Sequence, residues 1–139
     1  MHMTHEDEAP QGRWKRLAVG YDESLVLVPQ ALAAEGFGIV SQIDLHETFK
    51  AKLGVGFRRY RVLGACNPGF AHKALSENLR LGILLPCNVV IYEQDDGSAM
   101  VGVVDPNQSF RPFAESNELA ELVEVVRGRL NHAFESLPS

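Results

Sequence analysis

The sequence is poor in the features that usually announce a function. It holds only two cysteines in 139 residues, and a disulfide framework needs more than one possible pair. It contains no Gly-rich phosphate loop, no Gly-x-Ser-x-Gly string and no paired-carboxylate constellation. Neither a Cys-x-x-Cys nor a His-x-x-x-His pair occurs, so Cys66, Cys87 and His72 supply at most three soft ligands and no metal site is expected. His72 sits among Lys73, Ser76 and Glu77 on a polar helix side and reads as solvated. No apolar run approaches the roughly 18 residues that span a bilayer, which speaks against a membrane protein. The start, Met1 to Pro10, lacks the basic opening and apolar core of a secretory signal. The cytoplasm is therefore the expected compartment, with both thiols kept reduced there.

What is present describes one ordinary globular domain. The chain is 45% hydrophobic and 22% charged, enough to build a core at this length. Residues 1–12 read as a polar, disordered tail and 13–139 as a single α+β domain, with apolar periodicity beginning near Trp14. The net charge of −5 argues against a nucleic-acid partner, but the charge is unevenly spread. Between Thr48 and Ser76 stand Lys50, Lys52, Arg58, Arg59, Arg61 and Lys73 with no acid, whereas eight acids between Glu93 and Glu124 face only Arg111. The two segments either neutralise one another across the surface or leave an anion-attracting face beside the first cysteine.

Periodicity predicts the order β-α-β-α-β-α-β-β-α. A strand over Lys15 to Tyr21 leads to a helix capped by Asp22 or Ser24 and closed by Gly36, with Pro29 bending or delaying its start. Phe37 to Ile43 is a strand. Asp44-Leu45-His46-Glu47 resembles a capping box opening a helix that Gly54 ends. Tyr60 to Cys66 is a strand, and Asn67-Pro68 starts a helix running to about Arg80 with Leu79 buried. Ile83 to Glu93, irregular in its first half, pairs through Asp95-Asp96-Gly97 with Ala99 to Val104. A long helix from Asn117 to about Ser136 closes the chain, carrying Leu119, Leu122, Val123, Val126, Leu130 and Phe134 at core spacing. The expected architecture is a two-layer domain, a mixed sheet of about five strands covered by helices.

Both cysteines lie in strings that echo one another, Gly64-Ala65-Cys66-Asn67-Pro68 and Leu85-Pro86-Cys87-Asn88-Val89, each at a junction of elements. Cys66 precedes an Asn-capped helix start, where free amides and the helix dipole favour a thiolate. Its alternative is a small core residue, and Cys87, inside an apolar run, has still less to activate it. An extended Leu81 to Pro86 would bring the two thiols close without a formed disulfide. Arg59 and Arg61 alternate onto one side of their strand, and with Lys50 and Lys52 they are candidates to draw an anion towards the cysteines. Asn67 and Asn88 have structural uses as cap and strand entry, and as amides they also suit a ligand.

The two cysteine strings, with Ala71-His72-Lys73-Ala74-Leu75, Glu35-Gly36-Phe37-Gly38, Lys50-Ala51-Lys52-Leu53-Gly54 and Val104-Asp105-Pro106, resemble the uncharacterised bacterial family called domain of unknown function 302. The likeness spans about Arg16 to Leu137, with Pro29 as a departure in a helix that usually runs unbroken. It implies a small soluble α+β protein, with a dimer as one option, and it supplies no reaction, cofactor or catalytic residues. Three functions remain open. The first is binding of a small molecule or anion at a pocket formed by Cys66, Asn67, Cys87 and Asn88, with Arg59 and Arg61 beside it. The second is thiol-based redox or sulfur transfer through Cys66, the one candidate catalytic residue, with Cys87 as partner. The third is a homodimeric interaction module without a pocket.

Overall fold

The computed structural model describes residues 12–139. The expectation of a disordered tail concerns residues that lie almost wholly outside that range. The chain order is β1 (Gly12–Gly20), α1 (Tyr21–Ala34), β2 (Gly38–Asp44), α2 (Leu45–Leu53), β3 (Tyr60–Cys66), α3 (Pro68–Glu77), a 3-10 turn (Leu79–Leu84), β4 (Cys87–Glu93), β5 (Ser98–Val104), the single-turn α4 (Pro106–Ser109), a second 3-10 turn (Arg111–Phe113) and α5 (Asn117–Glu135). Five strands in the order β1-β5-β4-β3-β2 form one sheet. The α+β class and the five strands are as expected, but the sheet is not mixed. Every neighbouring pair is antiparallel.

The pairing follows from how each segment turns the chain. After α3 the 3-10 turn returns the backbone to the end of the sheet where β3 stopped, so β4 starts beside Ala65 and runs back down. Gly97, at φ +89°, lets the Asp95-Asp96 turn close the β4–β5 hairpin. One face of the sheet carries Leu63, Ala65, Cys87, Val89, Ile91, Val101 and Val103 into a core closed by Leu32 of α1, Phe70 of α3, and Val123 and Leu130 of α5. Alternation along the strands puts Trp14, Tyr60, Val62, Asn88, Val90 and Gly102 on the opposite face.

Several ends differ from the sequence reading, each for a local reason. α1 starts at Tyr21, with Gly20 in the cap position and no side-chain cap, and it runs through Pro29 to Ala34. Asp44 does not form a capping box, because Arg61 Nε and Nη2 donate to its carboxylate at 2.7 and 3.2 Å. α3 stops at Glu77, where Asn78 turns extended and its Oδ1 accepts from Arg80 N at 3.0 Å to open the 3-10 turn. Leu79 and Ile83, expected in the helix core and the next strand, stand on that turn 83% and 90% exposed. Asn67 caps α3 through Phe70 N at 3.1 Å, with Pro68 at the first helical position, as read from the sequence. No helix among the described residues is long and apolar enough to cross a membrane.

Candidate functional site

The two echoing strings lie side by side. Gly64 is paired with Asn88 and Ala65 with Cys87 across β3 and β4. A Cβ on Gly64 would overlap Ser41 Oγ and stand 2.6 Å from Pro86 Cγ. The first string therefore carries glycine where the proline of the second sits against it. Part of what made these strings conspicuous is this mutual fit.

The thiols are neighbours at one end of the sheet but not on one face. Cys87 shares the core face with Ala65, whereas Cys66, one residue further, alternates to the other side. Both are free, Cys87 buried and Cys66 half-buried. Burial pushes the Cys87 thiol up to about 11, with a smaller contribution from Cys66 nearby. Lys73, the last cation of the basic stretch, is engaged by Glu118 at 2.5 Å.

Asn67 and Gly36 complete this corner. The Asn67 carbonyl is used by the cap, while its Nδ2 lies 3.5 Å from the point where a Gly36 Cβ would stand, and Arg129 Nη1 lies 3.6 Å from the same point. Gly36 adopts φ +88°, a backbone region that favours glycine, so no side chain comes between the two donors at that point. Neither donor finds an acceptor among the described residues. The nearby Glu35 carboxylate is taken by His132 Nδ1 at 2.7 Å.

The remaining proposed site residues are Asn88, Arg59 and Arg61. Asn88 is exposed on the helix-free face, where it lines a shallow depression of about 280 Å³ with Trp14, Tyr60, Val90 and Gly102. Arg59 and Arg61 sit at the far end of β3, Arg61 five residues from Cys66, or about 17 Å of strand. Arg59 donates to Glu93 at 2.7 and 3.3 Å and to Asp22 at 2.7 Å, hydrogen bonds that raise its pKa further. Arg61 is held by Asp44. These two guanidiniums are thus committed to carboxylates and distant from the cysteines, while Lys50 and Lys52 make no ion pair among the described residues. The structure brings Cys66, Asn67, Cys87 and Asn88 to one end of β3 and β4, with Asn88 on the same face as Cys66 and Cys87 on the other, and it leaves Arg59 and Arg61 at the far end.

The family profile described as "Domain of unknown function DUF302" matches residues 15–137. The chain belongs to the DUF302 family. An uncharacterized protein of Aquifex aeolicus (strain VF5) is 26% identical to this DUF302 domain over 98 residues, covering 68% of this chain and 62% of the relative. The chain thus spans less than two thirds of that curated relative's length. A crystal structure of an uncharacterized conserved DUF302 protein from Bacillus stearothermophilus superposes with a TM-score of 0.78 at 27% identity, over 91% of this chain and 98% of that one.

Sequence reasoning about the DUF302 domain missed two residues. Arg129 lies on α5, and its sequence neighbours give no sign that it meets Gly36 and Asn67. Alternation places Tyr21 at the end of a strand. It opens α1 instead, 3% exposed, with the Arg59 guanidinium 4.6 Å from its ring centroid. Its hydroxyl is buried without a hydrogen-bond partner among the described residues, and burial raises its pKa, so it stays a neutral phenol. A buried unpartnered hydroxyl costs about 1–3 kcal/mol. Tyr21→Phe is expected to raise the stability of the domain by about 1 kcal/mol in urea denaturation. A loss of that size would mean that the hydroxyl has a partner in solution.

Proposed function

We propose that this DUF302 domain binds a small anion, a carboxylate or phosphate group, at the corner formed by Cys66, Asn67, Gly36 and Arg129. The observation that carries this reading is the convergence of Asn67 Nδ2 and Arg129 Nη1 on the point where a Gly36 Cβ would stand. Neither donor has an acceptor among the described residues, and the guanidinium presents a planar fork suited to carboxylate and phosphate oxygens. The first turn of α3 adds the Gly69 amide, since Pro68 has none and Phe70 N is taken by the cap. Because burial keeps the Cys87 thiol protonated at neutral pH, it places no negative charge against a bound anion. A relay between the two thiols draws no support from this arrangement, because they face opposite sides of the sheet.

Titration of phosphate and of acetate into the 15N-labelled protein, followed by amide chemical shifts, tests the proposal. Saturable shifts are expected at Cys66, Asn67 and Gly69, and Arg129→Ala is expected to weaken binding about tenfold, the loss of one exposed charge-assisted contact. Shifts scattered over the surface, or an affinity untouched by Arg129→Ala, would remove the anion reading.

A further inference from the structure

The segment after β2 is unusual for a folded chain. α2 contains no buried residue, and every residue from Lys50 to Arg58 is exposed. Isolated helices shorter than about 12–15 residues are marginal in water and take their stability from packing an apolar face. Here Leu53 is 68% and Phe57 52% exposed, with Val55 between them. Within the arm, Phe49 and Phe57 meet edge to face at 5.2 Å. His46 Nδ1 accepts from Tyr60 N at 2.9 Å at its base. The arm is therefore shaped, but its outer apolar side chains are not covered. It also carries Lys50 and Lys52, neither paired among the described residues.

A second surface has the opposite charge. Between the 3-10 turn after α3 and the start of α5 lies a groove of about 300 Å³ lined by Glu77, Leu81, Phe113, Glu115 and Ser116. Phe113 is exposed there, and Leu79 and Ile83 project from the bordering turn. Glu115 makes no ion pair among the described residues. Glu77 has Lys73 nearby, but that ammonium is held by Glu118. One apolar surface is thus rimmed by unpaired lysines and the other by unengaged glutamates.

We infer that the α2 arm of one copy docks into this groove of a second copy, and that two such contacts, related by a two-fold axis, close a dimer. The occupant is assigned by charge complementarity: two apolar surfaces on one chain, each supplying the charge the other lacks. The inference is independent of the anion site, since the arm leaves the sheet at the opposite end of β3 from Cys66.

Sedimentation velocity over roughly 1–100 µM protein tests it, a range that brackets micromolar association. The wild type is expected to be a dimer. Lys50→Glu with Lys52→Glu is expected to raise the dimer dissociation constant about 100-fold, and Glu77→Lys with Glu115→Lys to do the same, because like charges would then face each other. A chain carrying all four substitutions restores opposite charges at both contacts and is expected to dimerise again. All these positions are on the surface, and circular dichroism verifies that each variant is folded. A monomeric wild type would overturn the inference. So would a groove variant that stays dimeric, which would mean that the arm meets another surface, or a folded four-substitution variant that stays monomeric.

Discussion

Gly64→Val is expected to cost about 3 kcal/mol, the upper part of the range for forcing extra methyl groups into a filled space. Gly64 lies in the middle of β3, with β2 on one side and β4 on the other. A Cβ there would overlap Ser41 Oγ and approach Pro86 Cγ to 2.6 Å. The serine hydroxyl can rotate away, but the proline ring has no rotamer that clears the space, so the strand must shift against its partner. Valine's preference for strands acts the other way, by no more than about 1 kcal/mol, and the overlap decides the sign. Gly102→Ala is the useful comparison. Its Cβ would meet the Trp14 ring at 2.5 Å, and a side chain on an edge strand can move where a proline ring in a turn cannot. Urea denaturation should therefore rank Gly64→Val well below Gly102→Ala. A loss under about 1 kcal/mol for Gly64→Val would mean that the two cysteine strings do not lock together as described.

This lock also indicates what could be read from the residues alone. Local signals were legible. β3 has the bounds its alternation predicts, Asn67 and Pro68 start α3, Gly54 and Gly97 take positive φ, and α5 buries its periodic residues. What depended on distant partners was not. Asp44 looks like a cap until Arg61, 17 residues on, takes its carboxylate. Leu79 has helical spacing for the core until Asn78 breaks the helix one residue earlier. The sheet could be called mixed because a helix followed by an apolar run suits a parallel return as well as an antiparallel one. The site shows the same division. Cys66, Asn67 and Cys87 are close because their strands pair, which the echo of their strings hinted at. The grouping of Arg59 and Arg61 with them rested on sequence proximity and on a strand face. Five residues along an extended strand is a long way, and these two arginines have acids beside them. The cation that does stand near Asn67 arrives from α5, 62 positions later, with no local mark.

The second large effect concerns Arg61 and depends on pH in a defined direction. Arg61 and Asp44 are each 20% exposed, and the guanidinium donates twice to the carboxylate. Removing one partner of a buried pair costs about 3–5 kcal/mol because the other charge is left without compensation. With a fifth of each side chain in solvent, Arg61→Met is expected to cost about 2–3 kcal/mol at neutral pH. In the wild type the hydrogen bond from Arg61 holds the Asp44 carboxyl below the usual range, outweighing burial, which raises it. A carboxyl depressed in the folded state contributes stability that is fully present above its unfolded value, near 3.9, and is lost as the pH falls through the lower folded value. In Arg61→Met the hydrogen bond is gone and burial remains, so the folded carboxyl moves above the unfolded value. Acid then neutralises a charge that the variant holds poorly. The gap between wild type and variant should therefore be widest near pH 7, begin to narrow as the pH falls through the variant's raised carboxyl value, and go on narrowing as it falls through the wild type's lowered one. Urea denaturation of both proteins at pH 7, 5, 4 and 3 measures that gap. A gap that stays constant with pH would mean that Arg61 contributes through the packing of its aliphatic stem, and that its charge pairing with Asp44 contributes nothing to the fold.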